Sequence, residues 1–288
     1  MSENTLPGRG FREPLVIFSL CTAAIVIALF FFGGSLRQLV RESFMQRVTS
    51  AHYEILSTPD AFSRDALTEF AAQREPLFAA LEKKLGDAGS NIKIRIVFDH
   101  EFRPLPQADG VSIRYYSVSG TTIRAARNEG NLRLPATADA EALLNAAWGK
   151  PGNAQIALWI ATWLAGNWRG MEIGMAAAQV EQRLGHKRLA SVLSDPGGEI
   201  SHPEDRNLLG AAWISEIAEF GGRSAVRKLY AAKMPHPNVA EVANVLGTTP
   251  LELDRQWQLW IYAYLAGMPS TPADSSAPMN MPMGSATR

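Results

Sequence analysis

Ile156-Ala157-Leu158-Trp159-Ile160-Ala161-Thr162-Trp163-Leu164 is the stretch on which the reading of this chain turns. It sits inside a run, Ala154–Ala165, that is polar only at Gln155 and Thr162. Such a run reads as a helix that is apolar all round and therefore buried. At about 12 residues it is too short to cross a membrane. A breaker, Lys150-Pro151-Gly152-Asn153, precedes it, and a helix over Ala138–Trp148 lies before that. Downstream, helices are expected over Gly170–Leu184, Glu204–Phe220, Ser224–Lys233, Asn238–Leu246 and Pro250–Leu265. Gly221-Gly222 closes one of them, and Thr248-Thr249-Pro250 is a good helix start.

Upstream the pattern changes. His52–Leu56 (HYEIL) reads as a short strand. Pro59–Leu85 has helical periodicity, with Phe62, Ala66, Phe70, Leu77, Phe78, Leu81 and Leu85 on one face and Gly86 as a stop. Ile92–Phe98 alternates apolar and basic residues, as a half-buried strand does. Val111–Val118 and Thr121–Ala125 are further strands joined by a tight turn at Ser119-Gly120, and Leu132–Leu134 adds a short edge.

Nearer the N-terminus, Leu15–Phe32 is an uncharged run of about 18 residues, long enough for a transmembrane helix. It contains Cys21, the single cysteine, so no intramolecular disulfide is expected. The expected order is a short tail over 1–14, a transmembrane anchor over 15–33, a juxtamembrane helix or linker over 34–51, one domain over 52–266, and an unstructured Pro- and Met-rich tail over 267–288. The fold class is α+β: a transmembrane helix, a small mixed or antiparallel sheet with a long helix, then an all-helical half.

Charge excludes one class of partner. Lys plus Arg and Asp plus Glu are 28 each in 288 residues, so the chain lacks the basic surplus of a nucleic-acid binder. Arg9 and Arg12 before the apolar run and Arg37, Arg41 and Arg47 after it do not decide a membrane orientation.

The sequence of elements from HYEIL onward, together with Leu246-Gly247-Thr248-Thr249-Pro250-Leu251-Glu252-Leu253-Asp254-Arg255-Gln256-Trp257, resembles the peptidase MA-like, gluzincin-type zinc metallopeptidase domains. The resemblance covers about residues 52–265, as pattern more than identity. It places Ile156–Leu164 where those domains carry HExxH, so Leu158, Trp159 and Thr162 stand where His, Glu and His would be. In HExxH two imidazoles on one helix face bind zinc and the Glu is the general base. Leu and Trp offer neither ligand nor base, and Thr is a feeble ligand. Trp168-Arg169-Gly170-Met171-Glu172-Ile173-Gly174-Met175-Ala176 echoes the third-ligand motif W-L-x-E-G-x-A, with Glu172 as the surviving carboxylate and the spacing off by one. The resemblance implies a scaffold that has lost the peptidase reaction and keeps its old groove for a peptide or protein partner. It also implies a position in the cytoplasmic membrane, with the folded domain on the extracytoplasmic side.

No other group in the chain restores the lost chemistry. The five histidines, His52, His100, His186, His202 and His236, are never paired at helical spacing. Asp99-His100-Glu101 and His202-Pro203-Glu204-Asp205 hold ligand residue types that read more simply as a strand exit and a helix start. Ser90 and Lys93 fit S-x-x-K without its partner motifs. Glu216 and Glu219 read as two exposed acids on an amphipathic helix. Trp148, Trp159, Trp163 and Trp168 either fill the space of a vanished metal centre or line a groove. No catalytic residue, cofactor or metal is therefore expected. Two alternatives stay open: a hydrolase using Glu172 with His100 or His202, and copper handling by the tail thioethers Met279, Met281 and Met283.

Overall fold

A computed structural model of the chain describes residues 40–86, 91–99, 102, 105–106, 113–126, 132, 134–195 and 198–267. The chain divides into two compact units. Of the described residues, one unit holds those within 40–80, 91–105 and 114–134, and the other those within 81–86, 106–113 and 135–267.

The first unit is built on a five-stranded mixed sheet. Its strands are β1 (Gln46–Thr49), β2 (Tyr53–Ser57), β3 (Ile94–Asp99), β4 (Tyr116–Ser119) and β5 (Thr122–Ala126), in the order β1-β2-β3-β5-β4. β3 is central, with parallel neighbours on both sides: Ile55 lies opposite Ile96, and Ile96 opposite Ile123. That position explains why Ile94, Ile96, Val97 and Phe98 are all buried, where alternation alone suggested one wet face. β4 and β5 form the expected hairpin, with Ser119 opposite Thr122 and Gly120 at φ 56° in the turn. The long helix α1 (Arg64–Leu85) begins five residues later than its periodicity suggested. In this unit it seats Phe70 against Phe98 (5.7 Å between ring centres) and Phe78 edge-on to Tyr53 (6.1 Å).

Within the stretch expected as a juxtamembrane helix or linker, residues 46–49 form β1, the sheet edge antiparallel to β2. Just before it, the buried Glu42 carboxylate accepts from Arg95 (2.8 Å) and Arg124 (3.0 Å), and Arg41 pairs with Asp99 (2.5 Å).

The expected fold needs one correction. It placed a transmembrane helix ahead of the domain, but among the described residues no helix is long and apolar enough to cross a membrane. The longest helices carry charged residues along their length, and the thoroughly apolar one has only 12 residues. Residues 15–33, where the anchor was expected, lie outside the described residues, as do the tails 1–14 and 268–288. The fold is α+β, a five-stranded mixed sheet with helices.

The second unit is mainly helical. Its helices are α2 (Ala136–Trp148), α3 (Ala154–Ala165), α4 (Ile173–Leu184), α5 (Leu189–Leu193), α6 (Pro203–Ala231), α7 (Val239–Leu246) and α8 (Pro250–Gly267). α3 keeps the bounds read from its composition. Asn153 caps its start by accepting from the Ile156 N–H (2.9 Å), and Gly166 ends it in the left-handed region at φ 85°. α6 is the hub, touching α2, α3, α4, α5, α7 and α8. It breaks at Gly222 (φ 66°, ψ −175°), at the Gly-Gly expected to separate two helices.

Candidate functional site

Leu158, Trp159 and Thr162, the positions expected to stand in for HExxH, are taken up by packing. Trp159 is fully buried; its indole stands edge-on to Trp213 (6.3 Å) and lies on Gly210 of α6, where any Cβ would collide with the ring. Its N–H points to the Asn207 amide oxygen at 3.4 Å, and that oxygen also accepts from Gln155 at 2.6 Å. Thr162 is buried and its hydroxyl donates to the Leu158 carbonyl one turn back (2.8 Å). Leu158 itself is half-buried and apolar. None of the three side chains presents an imidazole, thiolate or carboxylate to a metal, and none can take a proton from water.

Glu172 has a structural role. The segment read as the start of a helix is a small hairpin, β6 (Asn167–Trp168) and β7 (Met171–Glu172), with Asn167 opposite Glu172. Its two turn residues, Arg169 and Gly170, both have positive φ (53° and 87°), as a two-residue primed turn requires. Glu172 then caps α4, its two carboxylate oxygens accepting from the Gly174 and Met175 N–H groups, each at 3.0 Å. The stretch from Trp168 to Glu172 is therefore not helical. Lys84, from the last turn of α1, donates to the Trp163 carbonyl (2.6 Å) with its ammonium 5.0 Å from the Trp163 ring centre. Burial lowers the Lys84 pKa, and the nearby Glu172 charge opposes that.

The other expected candidates sit in ordinary structural settings. Asp99 is paired with Arg41 and lies 3.5 Å from Arg124, while His100 and Glu101 lie outside the described residues. His202 is the residue before α6 and makes no capping bond with its side chain; Glu204 pairs with Arg169, and Asp205 with Arg183 (2.8 Å). His52 holds Glu75 through both its backbone N–H (2.9 Å) and its ring nitrogen (2.6 Å), and stacks on Phe78 at 4.1 Å. Burial pushes the Glu75 carboxyl up, but these bonds outweigh it and hold it below its usual value. His186 lies beside Tyr262 (4.7 Å) and His236 is exposed. Ser90 lies outside the described residues and Lys93 is exposed. The tail methionines Met279, Met281 and Met283 are likewise outside them. Among the described residues, no group of three or more His, Cys, Asp or Glu is placed to hold a metal ion.

One carboxylate departs from its expected setting. Glu219 is exposed and accepts from the Trp260 indole N–H (2.6 Å), but Glu216 is fully buried. Neither Glu216 oxygen has a hydrogen-bond partner among the described residues. Burial, reinforced by the Glu219 charge, pushes its pKa up to about 8. Glu181 on α4 is a milder case. Its pKa rises to about 7 through burial, although the Lys187 N–H donates to it at 2.8 Å. Glu216 is enclosed because it lies on the buried stripe of α6, three residues after Trp213, four after Ala212 and seven after Leu209, while Glu204, Ser215, Ala218 and Glu219 take the more accessible side.

The second unit also holds a cavity of about 540 Å³ that the sequence did not suggest. It draws on the end of α1 (Leu85), the end of α2 (Trp148) and the part of α6 after the break (Arg223, Ser224, Arg227 and Lys228). Trp148 therefore lines an opening, whereas Trp159 fills an interior. No family model matches the chain, and neither does any curated protein or solved structure, so no relative assigns a role to these residues.

Proposed function

We propose that this chain is a binding or structural module and not a zinc hydrolase. The observation that carries this reading is the seat of Trp159. Where the resemblance would require a general base, an indole is locked between α3 and Gly210 of α6. Where it would require zinc ligands there are an apolar side chain, a hydroxyl bonded to its own helix, and a carboxylate whose two oxygens cap α4. A catalytic zinc needs three protein ligands and an open coordination position. Loading the full chain with zinc, measuring the metal retained after dialysis and assaying casein cleavage with and without chelator tests the reading. The expected result is sub-stoichiometric zinc and no chelator-sensitive cleavage. Stoichiometric zinc accompanied by chelator-sensitive cleavage would overturn it.

A further inference from the structure

The cavity in the second unit combines an apolar wall with cations. Leu85 is buried and Trp148 half-buried; Trp148 is held edge-on to Tyr230 (5.4 Å), whose hydroxyl lies 2.9 Å from the Gly149 carbonyl and 3.0 Å from the Asn145 amide oxygen. The aromatic wall is thus braced from behind. Arg223, Ser224, Arg227 and Lys228 are exposed, and among the described residues none lining the cavity is acidic. Arg223 is anchored by donating to the Lys83 carbonyl (2.9 Å), which leaves its other N–H groups for further bonds.

Two features favour an anion here. Arg223 and Arg227 are four residues apart on one helix, where like charges repel and cost stability. The chain as a whole is charge-balanced, so three cations around one cavity, with no acid among its described lining residues, is a local arrangement and not a reflection of overall composition. An anion would relieve the repulsion, and guanidinium groups hold phosphate or carboxylate through paired N–H bonds. The volume lies within the range of about 300–1,000 Å³ that suits small molecules.

We propose that this cavity binds a small organic anion, its phosphate or carboxylate held by Arg223, Arg227 and Lys228 and its apolar body set against Trp148 and Leu85. The inference rests on the reading of the chain as a binding module. Calorimetric titration of the full chain in low-salt, phosphate-free buffer tests it with phenyl phosphate, benzoate, inorganic phosphate and phenol. One or both aryl anions should bind with one-to-one stoichiometry, and which of them binds identifies the preferred head group. Inorganic phosphate should bind about tenfold more weakly than phenyl phosphate, and phenol should not saturate. R227Q, at an exposed position, should leave the thermal unfolding curve in place and weaken the aryl anion about tenfold.

The proposal is overturned if neither aryl anion saturates at millimolar concentration. It is also overturned if inorganic phosphate or phenol binds as well as they do, or if R227Q and K228Q both bind like the parent chain. A chain that binds no aryl anion and cleaves no casein loses this inference alone. Zinc-dependent cleavage of casein would remove the module reading, whatever the calorimeter shows.

Discussion

The two halves of α6 solve different problems on one helix. Before Gly222, Leu208, Leu209, Ala211, Ala212, Trp213, Ile214, Glu216 and Ile217 are all buried, a broad inward face that leaves Glu204 and Glu219 exposed. After Gly222 only Val226, Leu229 and Tyr230 turn inward, and the remaining face carries Arg223, Arg227 and Lys228 to a cavity. The first half encloses a carboxyl group with no hydrogen-bond partner among the described residues. The second is an ordinary amphipathic helix with a charged stripe. The contrast shows that the first half is given to packing, and that the charged groups facing a cavity lie beyond the break.

The largest effect should come from opening the sealed half. Trp159→Ala removes a fully buried indole from the seam of α3 and α6 and is expected to cost about 3–5 kcal/mol of stability, read by urea unfolding. A loss below about 1 kcal/mol would mean the seam is not the packed interior described here.

The carboxyl in the same half gives a pH test. Glu216 has an ordinary value of 4.5 and is raised to about 8 in the folded chain, so the folded state keeps a proton that the unfolded state has lost. Stability from this group is therefore complete below pH 4.5 and declines as pH rises toward 8, by about 1.4 kcal/mol for each pH unit inside that window. Glu181, raised to about 7, adds to the slope over the lower part of the window. Glu216→Gln should flatten the curve and leave only the Glu181 share. Identical slopes in the two proteins would show that Glu216 is hydrated.

Gly210→Ala sharpens the same comparison at smaller cost. The added methyl meets the Trp159 ring, and overpacking of this kind costs about 1–3 kcal/mol. The two residues touch, so in the Trp159→Ala background the same change should be nearly neutral. Full additivity would mean the penalty comes from elsewhere.

Much of the architecture was readable because it follows from local pattern. The apolar run with Asn153 before it and Gly166 after it marks α3 to the residue, and period-two alternation finds β2, β3 and the β4–β5 hairpin. β1 escaped because QRVT buries only Val48 and sits on an edge, where the pattern is weakest. The β6–β7 hairpin escaped because each strand is two residues long and Arg169 is an unusual occupant of a positive-φ turn position. Glu216 was misplaced because its charge was read as marking the wet side, although it stands three residues after Trp213 and seven after Leu209, on the buried stripe. The cavity could not be read at all, since Leu85, Trp148 and Arg227 come from three distant segments and meet only after folding.

The smallest effect concerns Glu172, which separates a structural carboxylate from a catalytic one. As the cap of α4 it needs only an acceptor aimed at the Gly174 and Met175 N–H groups. Glu172→Ala should therefore cost about 0.5–2 kcal/mol, the usual loss of an N-cap acceptor. Glu172→Asn supplies an amide oxygen in place of the carboxylate and should recover part of that loss, because Asn is itself a favoured cap. A general base would behave in the opposite way. An amide cannot take a proton from water, so Asn would be as damaging as Ala to any hydrolysis the chain performs. Stability measured on the two variants thus reports the cap, while hydrolysis measured on the same samples reports the base. The capping geometry predicts that the Asn variant is more stable than the Ala variant, and an Asn variant no more stable than Ala would remove Glu172 from the cap.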